Sequence, residues 1–84
     1  MKEVTYSRDA LKSLRRIPSN VASSIRGKIE IYARDPASLG SNVIRLQGSG
    51  GYLRLRIGDW RVIFSEDAMV IAVIRIAPRG SAYE

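Results

Sequence analysis

The chain has 84 residues, a formal net charge of +6, and neither cysteine nor histidine; so short a chain makes one domain, 1–84, and buries only part of the surface its unfolded form exposes. The residue inventory excludes a disulfide framework, a thiol nucleophile, a histidine-based triad and a sulfur-ligated metal, so no metal or cofactor is expected. No apolar run is long enough for a membrane span or a signal peptide, which points to a soluble cytoplasmic protein, and the basic excess calls for an anionic partner.

Residues 3–6, Glu3-Val4-Thr5-Tyr6, are short and β-prone and read as the first strand. Ser7 can cap a helix whose apolar positions Leu11, Leu14 and Ile17 recur at helical spacing, and Pro18 ends it. A second helix starts at Ser19 or Asn20, carries Val21, Ile25, Ile29 and Tyr32 on one stripe, and stops at Asp35-Pro36. The two make a helical hairpin whose stripes need a sheet to cover. Lys12, Arg15, Arg16, Arg26 and Lys28 fall mostly on its outer faces, where solvation explains them. Residues 37–42 form a polar loop and 43–46 a second short strand. Gly48-Ser49-Gly50-Gly51 connects onward; it lacks the lysine and hydroxyl residue of a phosphate loop, and no helix follows it.

Residues 52–64 read as one β-hairpin. Leu53, Leu55 and Ile57 alternate before Gly58-Asp59, Trp60, Val62 and Phe64 after it, and the glycine tolerates the positive φ of a two-residue turn. In that register 57 faces 60, 55 faces 62 and 53 faces 64, so six apolar side chains share one side. The other side carries Tyr52, Arg54, Arg56 and Arg61, with Arg56 directly across from Arg61. A second turn covers 65–68, and 69–76 is a strongly β-prone run whose Val70, Ala72, Ile74 and Ile76 are expected to face the helices; Arg75 then joins the arginine side. The order strand, helix, helix, then three or four strands makes an α+β sandwich, with helices on one face of a mainly antiparallel sheet and the other face open.

Arginines alternating with aliphatics also describe an ordinary solvated sheet face. The bias toward arginine, 11 against 3 lysines, favours phosphate recognition, because the planar guanidinium matches phosphate bidentately. With arginine and tyrosine as the available functional groups, RNA is a suitable substrate. Its phosphodiester brings its own nucleophile, the 2′-hydroxyl, so a protein need only align it and stabilise the phosphorane-like transition state.

The order of elements, the Gly58-Asp59-Trp60-Arg61-Val62-Ile63-Phe64 core of the hairpin and the closing segment from Arg79 to Tyr83 together resemble the RelE/ParE superfamily of type II toxin–antitoxin toxins, most closely the RelE branch. The resemblance covers nearly the whole chain. It implies a metal-independent endoribonuclease that enters the ribosomal A site and cleaves the bound messenger by 2′-hydroxyl attack, leaving a 2′,3′-cyclic phosphate. Carried over by position, Arg61 matches the strand arginine that contacts the scissile phosphate, and Arg54 a basic residue on the preceding strand. Arg79 resembles the C-terminal basic residue that protonates the leaving group or stabilises the transition state. Tyr83 matches the terminal tyrosine that orients or deprotonates the 2′-hydroxyl and stacks on a base. Tyr52, Arg45, Arg56 and Arg75 complete the implied RNA-binding surface. Ala77-Pro78-Arg79-Gly80 departs from the family's more usual glycine-histidine-arginine-arginine run, and Tyr52 stands where a basic residue is common. The implied partners are a cognate antitoxin in a hetero-oligomer, bound along the helical hairpin and sheet edge, together with ribosome and mRNA. Two rivals remain: a ParE-like inhibitor of DNA gyrase, and a non-catalytic RNA-binding module.

Overall fold

The structure, a computed structural model, describes residues 1–80. Strand β1 (Glu3–Tyr6) leads into helices α1 (Arg8–Arg16) and α2 (Ser19–Arg34), a short 3-10 stretch (Pro36–Asn42), and strands β2 (Val43–Arg45), β3 (Leu53–Ile57), β4 (Trp60–Glu66) and β5 (Val70–Pro78). The sheet has five strands in the order β1-β5-β4-β3-β2. β2 to β5 are antiparallel, whereas β1 returns beside β5 in parallel, so the α+β fold has a mixed sheet.

Local chemistry sets the element ends. Ser7 Oγ accepts from the Ala10 backbone N–H at 3.0 Å, capping α1. Pro18 separates the helices, serving as the residue before α2 rather than as a member of either. The α2 stripe is that of the sequence, Ile25, Ile29 and Tyr32 with Val21 packed beside them. By contrast α1 buries Ala10 and Leu14, with Ile17 just past its end; Leu11, expected on that stripe, stays outside the core because the helix turns Ala10 inward instead. The two helices bury Leu55, Val62, Phe64, Ile71, Val73 and Ile76 beneath them. Tyr32 meets Phe64 edge to face, ring centroids 5.3 Å apart.

β5 departs from the expected facing. The register runs Ile63 to Arg75 and Phe64 to Val73, so Ile74 is an extra residue, a β-bulge. Before it Ile71 and Val73 face the helices; after it Ile76 does. Val70, Ala72 and Ile74 therefore do not form the inward series that even spacing suggests, because the bulge resets the alternation midway. Its carbonyl is not left unpaired: Ser7 Oγ donates to Ile74 O at 2.5 Å, and the Ser7 N–H to Val73 O at 2.8 Å. One serine thus caps α1 and closes the bulge.

Candidate functional site

On the sheet face turned away from the helices, the register arranges side chains in rows. One row is Ile44, Arg54, Ile63 and Arg75; the next is Arg56, Arg61 and Ala77. Four arginines therefore share two adjacent rows that contain no acidic residue. The hairpin that builds them turns at Gly58, whose φ is +57°, while Asp59 keeps a negative φ, the sign pattern of a type II′ turn.

The face is less open than the alternation implies. Ile63 and Ala77 are buried there and pack with Leu46 as a small second apolar cluster. Arg61, 9% exposed, is the one buried charged residue among the described residues. Its Nη1 donates to the carbonyls of Gly58 at 2.8 Å and Trp60 at 3.0 Å. This is how the molecule tolerates Arg61 opposite Arg56: one guanidinium folds back on the turn's carbonyl dipoles while the other, on exposed Arg56, stays in water. Arg79 reaches the same turn from the far side, its backbone N–H donating to Asp59 O at 2.6 Å. Residues 58–60 thus hold Arg61 by its side chain and Arg79 by its backbone.

Arg54 is half-buried, with Nη2 3.4 Å from Asn42 O, and the Asn42 side-chain amide donates to Arg56 O at 3.2 Å. Asn42 thereby fixes the strand that carries both arginines, a function that sequence reading missed. Arg75 lies across Ile63 from Arg54. Tyr52, just before β3, is exposed on this same face. Arg45 is the exception: it pairs with Leu53, whose side chain faces the helices, so alternation puts Arg45 on the other side of the sheet from Arg54 and Arg56. Tyr83 lies outside the described residues.

A separate polar group sits at the opposite edge of the molecule. Glu66 accepts from Lys2 Nζ and from the Tyr32 hydroxyl, each at 2.7 Å. Burial alone would raise the Glu66 carboxyl, but these two donors outweigh it and hold it below the usual carboxylate range. Burial, then the hydrogen bond and charge of Glu66, push the Tyr32 phenol well up. Among the described residues no group of three or more potential ligands could hold a metal ion, and no helix is long and apolar enough to cross a membrane.

A sequence model described as the ParE toxin of type II toxin–antitoxin systems, parDE, matches residues 4–83. The chain belongs to the ParE toxin family. This toxin of the RelE/ParE superfamily also shares its fold with solved toxins. It is 29% identical to a chain of the archaeal RelE–RelB complex from Pyrococcus horikoshii OT3, over 96% of this chain and 98% of that one, with a TM-score of 0.77. The intact Escherichia coli RelBE toxin–antitoxin complex gives 18% identity over 96% and 99%, TM-score 0.75. YafQ from E. coli strain BL21(DE3) gives 14% identity, with both chains covered completely, TM-score 0.78. No curated protein matches the sequence.

Proposed function

We propose that the toxin is a ribosome-dependent, metal-independent mRNA endoribonuclease, held inactive in the cytoplasm by a cognate antitoxin. The observation that carries this reading is the gathering of Arg54, Arg56, Arg61 and Arg75 in two adjacent acid-free rows of one face, with Arg79 fixed to the turn that also holds Arg61. Such a face is suited to an RNA phosphodiester. The messenger's 2′-hydroxyl oxygen attacks the adjacent phosphorus, forming the cyclic phosphate bond as the bond to the 5′ oxygen breaks. The arginines stabilise charge on the non-bridging oxygens throughout. Arg61 is preorganised for this, since its guanidinium is already aligned by two carbonyls and keeps other N–H donors to offer. The 2′-hydroxyl proton passes to solvent water, or to Tyr83 as the resemblance implies. The leaving 5′ oxygen takes a proton from water while the Arg79 guanidinium, assigned there by the resemblance, stabilises its charge. Tyr83 is assigned the 2′-hydroxyl by the resemblance alone.

The family match favours a second reading, in which the same fold inhibits DNA gyrase without cleaving RNA. One experiment separates them. Purified toxin is added to ribosomes programmed with a defined messenger, and cuts are mapped by primer extension; in parallel a gyrase supercoiling assay is run. In-frame cuts in the A-site codon with normal supercoiling support the nuclease. Lost supercoiling with intact messenger assigns the toxin to gyrase.

A further inference from the structure

Of the exposed large apolar side chains among the described residues, Met1 and Met69 stand at one end of the sheet, whereas Ile44, 46% exposed, and Tyr52, 37% exposed, stand beside the arginines. Ile44 opposes Arg54, and Tyr52 is the diagonal neighbour of Ile44, one row further on, beside Leu46. We infer that Tyr52, flanked by Ile44, is a base-stacking subsite for single-stranded RNA, taking the nucleobase next to the phosphate that Arg54 binds. The inference deepens the nuclease reading and rests on it.

Three observations carry it. Rows two residues apart along a strand are separated by roughly 6.6 Å, comparable to the through-space separation of neighbouring phosphates along one RNA strand, so successive phosphates can follow the arginine rows. The bases of a single strand bound this way have no pairing partner, and exposed aromatic side chains supply a stacking surface for them. Tyr52 stands one row from Arg54 on the same face, beside the phosphate that Arg54 is assigned. It is also held in place before any ligand arrives. Ser49 Oγ accepts from the Tyr52 N–H at 3.1 Å and donates to Leu46 O at 2.6 Å, while Tyr52 O accepts from the Leu46 N–H at 2.9 Å. The glycines at 48, 50 and 51, all at positive φ, give the turn its tight path around that serine. A fixed backbone at Tyr52 removes part of the ordering cost of binding, and a purine offers the ring the larger stacking face.

The test uses full-length toxin on ribosomes programmed with a mixed messenger pool, with cut sites counted by sequencing for wild type, Tyr52→Phe, Tyr52→Ala and Ile44→Ala. Wild type is expected to favour a purine at one fixed position beside the cut. Tyr52→Ala should lose that preference and about tenfold in rate at purine sites, Tyr52→Phe should keep the preference, and Ile44→Ala should weaken it. Messenger carrying 6-thioguanosine, a photoreactive purine, at that position should photo-crosslink to Tyr52. Circular dichroism confirms that the variants are folded. If wild type cuts and Tyr52→Ala cuts the same sites at the same rates, or the crosslink maps elsewhere, the subsite is wrong while the nuclease stands. If wild type does not cut at all, the nuclease reading fails and the subsite falls with it.

Discussion

Arg61 carries two loads, the turn it ties and the phosphate assigned to it, and its substitution should show both. Arg61→Ala removes a preorganised donor, expected to cost on the order of 3 kcal/mol in the chemical step, a hundredfold or more in single-turnover rate. It also strips the Gly58 and Trp60 carbonyls of their guanidinium partner, so the urea midpoint should fall by an equivalent of about 1–3 kcal/mol. Arg56→Ala should behave oppositely in folding. Arg56 is exposed and faces a like charge, so its loss should leave stability unchanged or raised by about 0.5 kcal/mol. A second residue-scale expectation concerns pH. Glu66 is held below its ordinary value near 4.5, so its contribution is present above that pH and lost as pH falls beneath it. Tyr32 is raised above its ordinary 10.0, so its contribution is present below pH 10 and lost as pH climbs past it. Melting temperature should therefore drop at both ends. Glu66→Gln should flatten the acid limb and Tyr32→Phe the alkaline one, and a wild-type profile in either variant would refute the linkage.

Ser7 is the corresponding test among the elements. Ser7→Ala removes a helix cap, worth about 1 kcal/mol, and also leaves the Ile74 carbonyl without its hydroxyl donor, adding about 1 kcal/mol more. Thermal or urea unfolding should give a loss near the sum, beyond that of an ordinary cap; a loss of a few tenths would mean the bulge does not need Ser7. The same bulge marks where sequence reading stops. The β3–β4 hairpin was legible in full, register included, because period-two alternation around Gly58-Asp59 leaves one pairing that keeps all six apolar residues inside. The helix pair was legible from Ser7, Pro18 and Asp35-Pro36. In β5 both residue series are largely apolar, so alternation alone could not say which faces the helices, and nothing local in 70–76 announces an extra residue. The parallel pairing of β1 depends on a neighbour nearly seventy residues away. At the site, patterning gave the face of Arg54, Arg56, Arg61 and Arg75 but not the path of a long side chain, so the burial of Arg61 was invisible. Arg45, grouped with that surface by the resemblance and not by patterning, lies on the helix side because its partner Leu53 belongs to the inward series.

For the molecule as a whole, the balance of a small core against a strong basic charge decides how it meets its partners. A net charge of +6 on 84 residues repels itself, and the arginine face concentrates part of that charge in two rows. An acidic antitoxin segment lying along α1, α2 and a sheet edge, and covering part of that face, would relieve the repulsion and bind only the folded chain. At a free concentration one hundred times its dissociation constant it adds about 2.7 kcal/mol to stability. For a domain this size each kcal/mol shifts the melting midpoint by roughly 4–8 °C, so the co-purified complex should melt more than ten degrees above the free toxin. Because Arg54 and Arg56 are charges that such a segment would neutralise, reversing both to glutamate should shrink that increment, and added salt should shrink it for the wild type. Differential scanning calorimetry of the free toxin and the complex, at low and high salt, checks this. An increment that neither charge reversal nor salt alters would place the antitoxin on another surface.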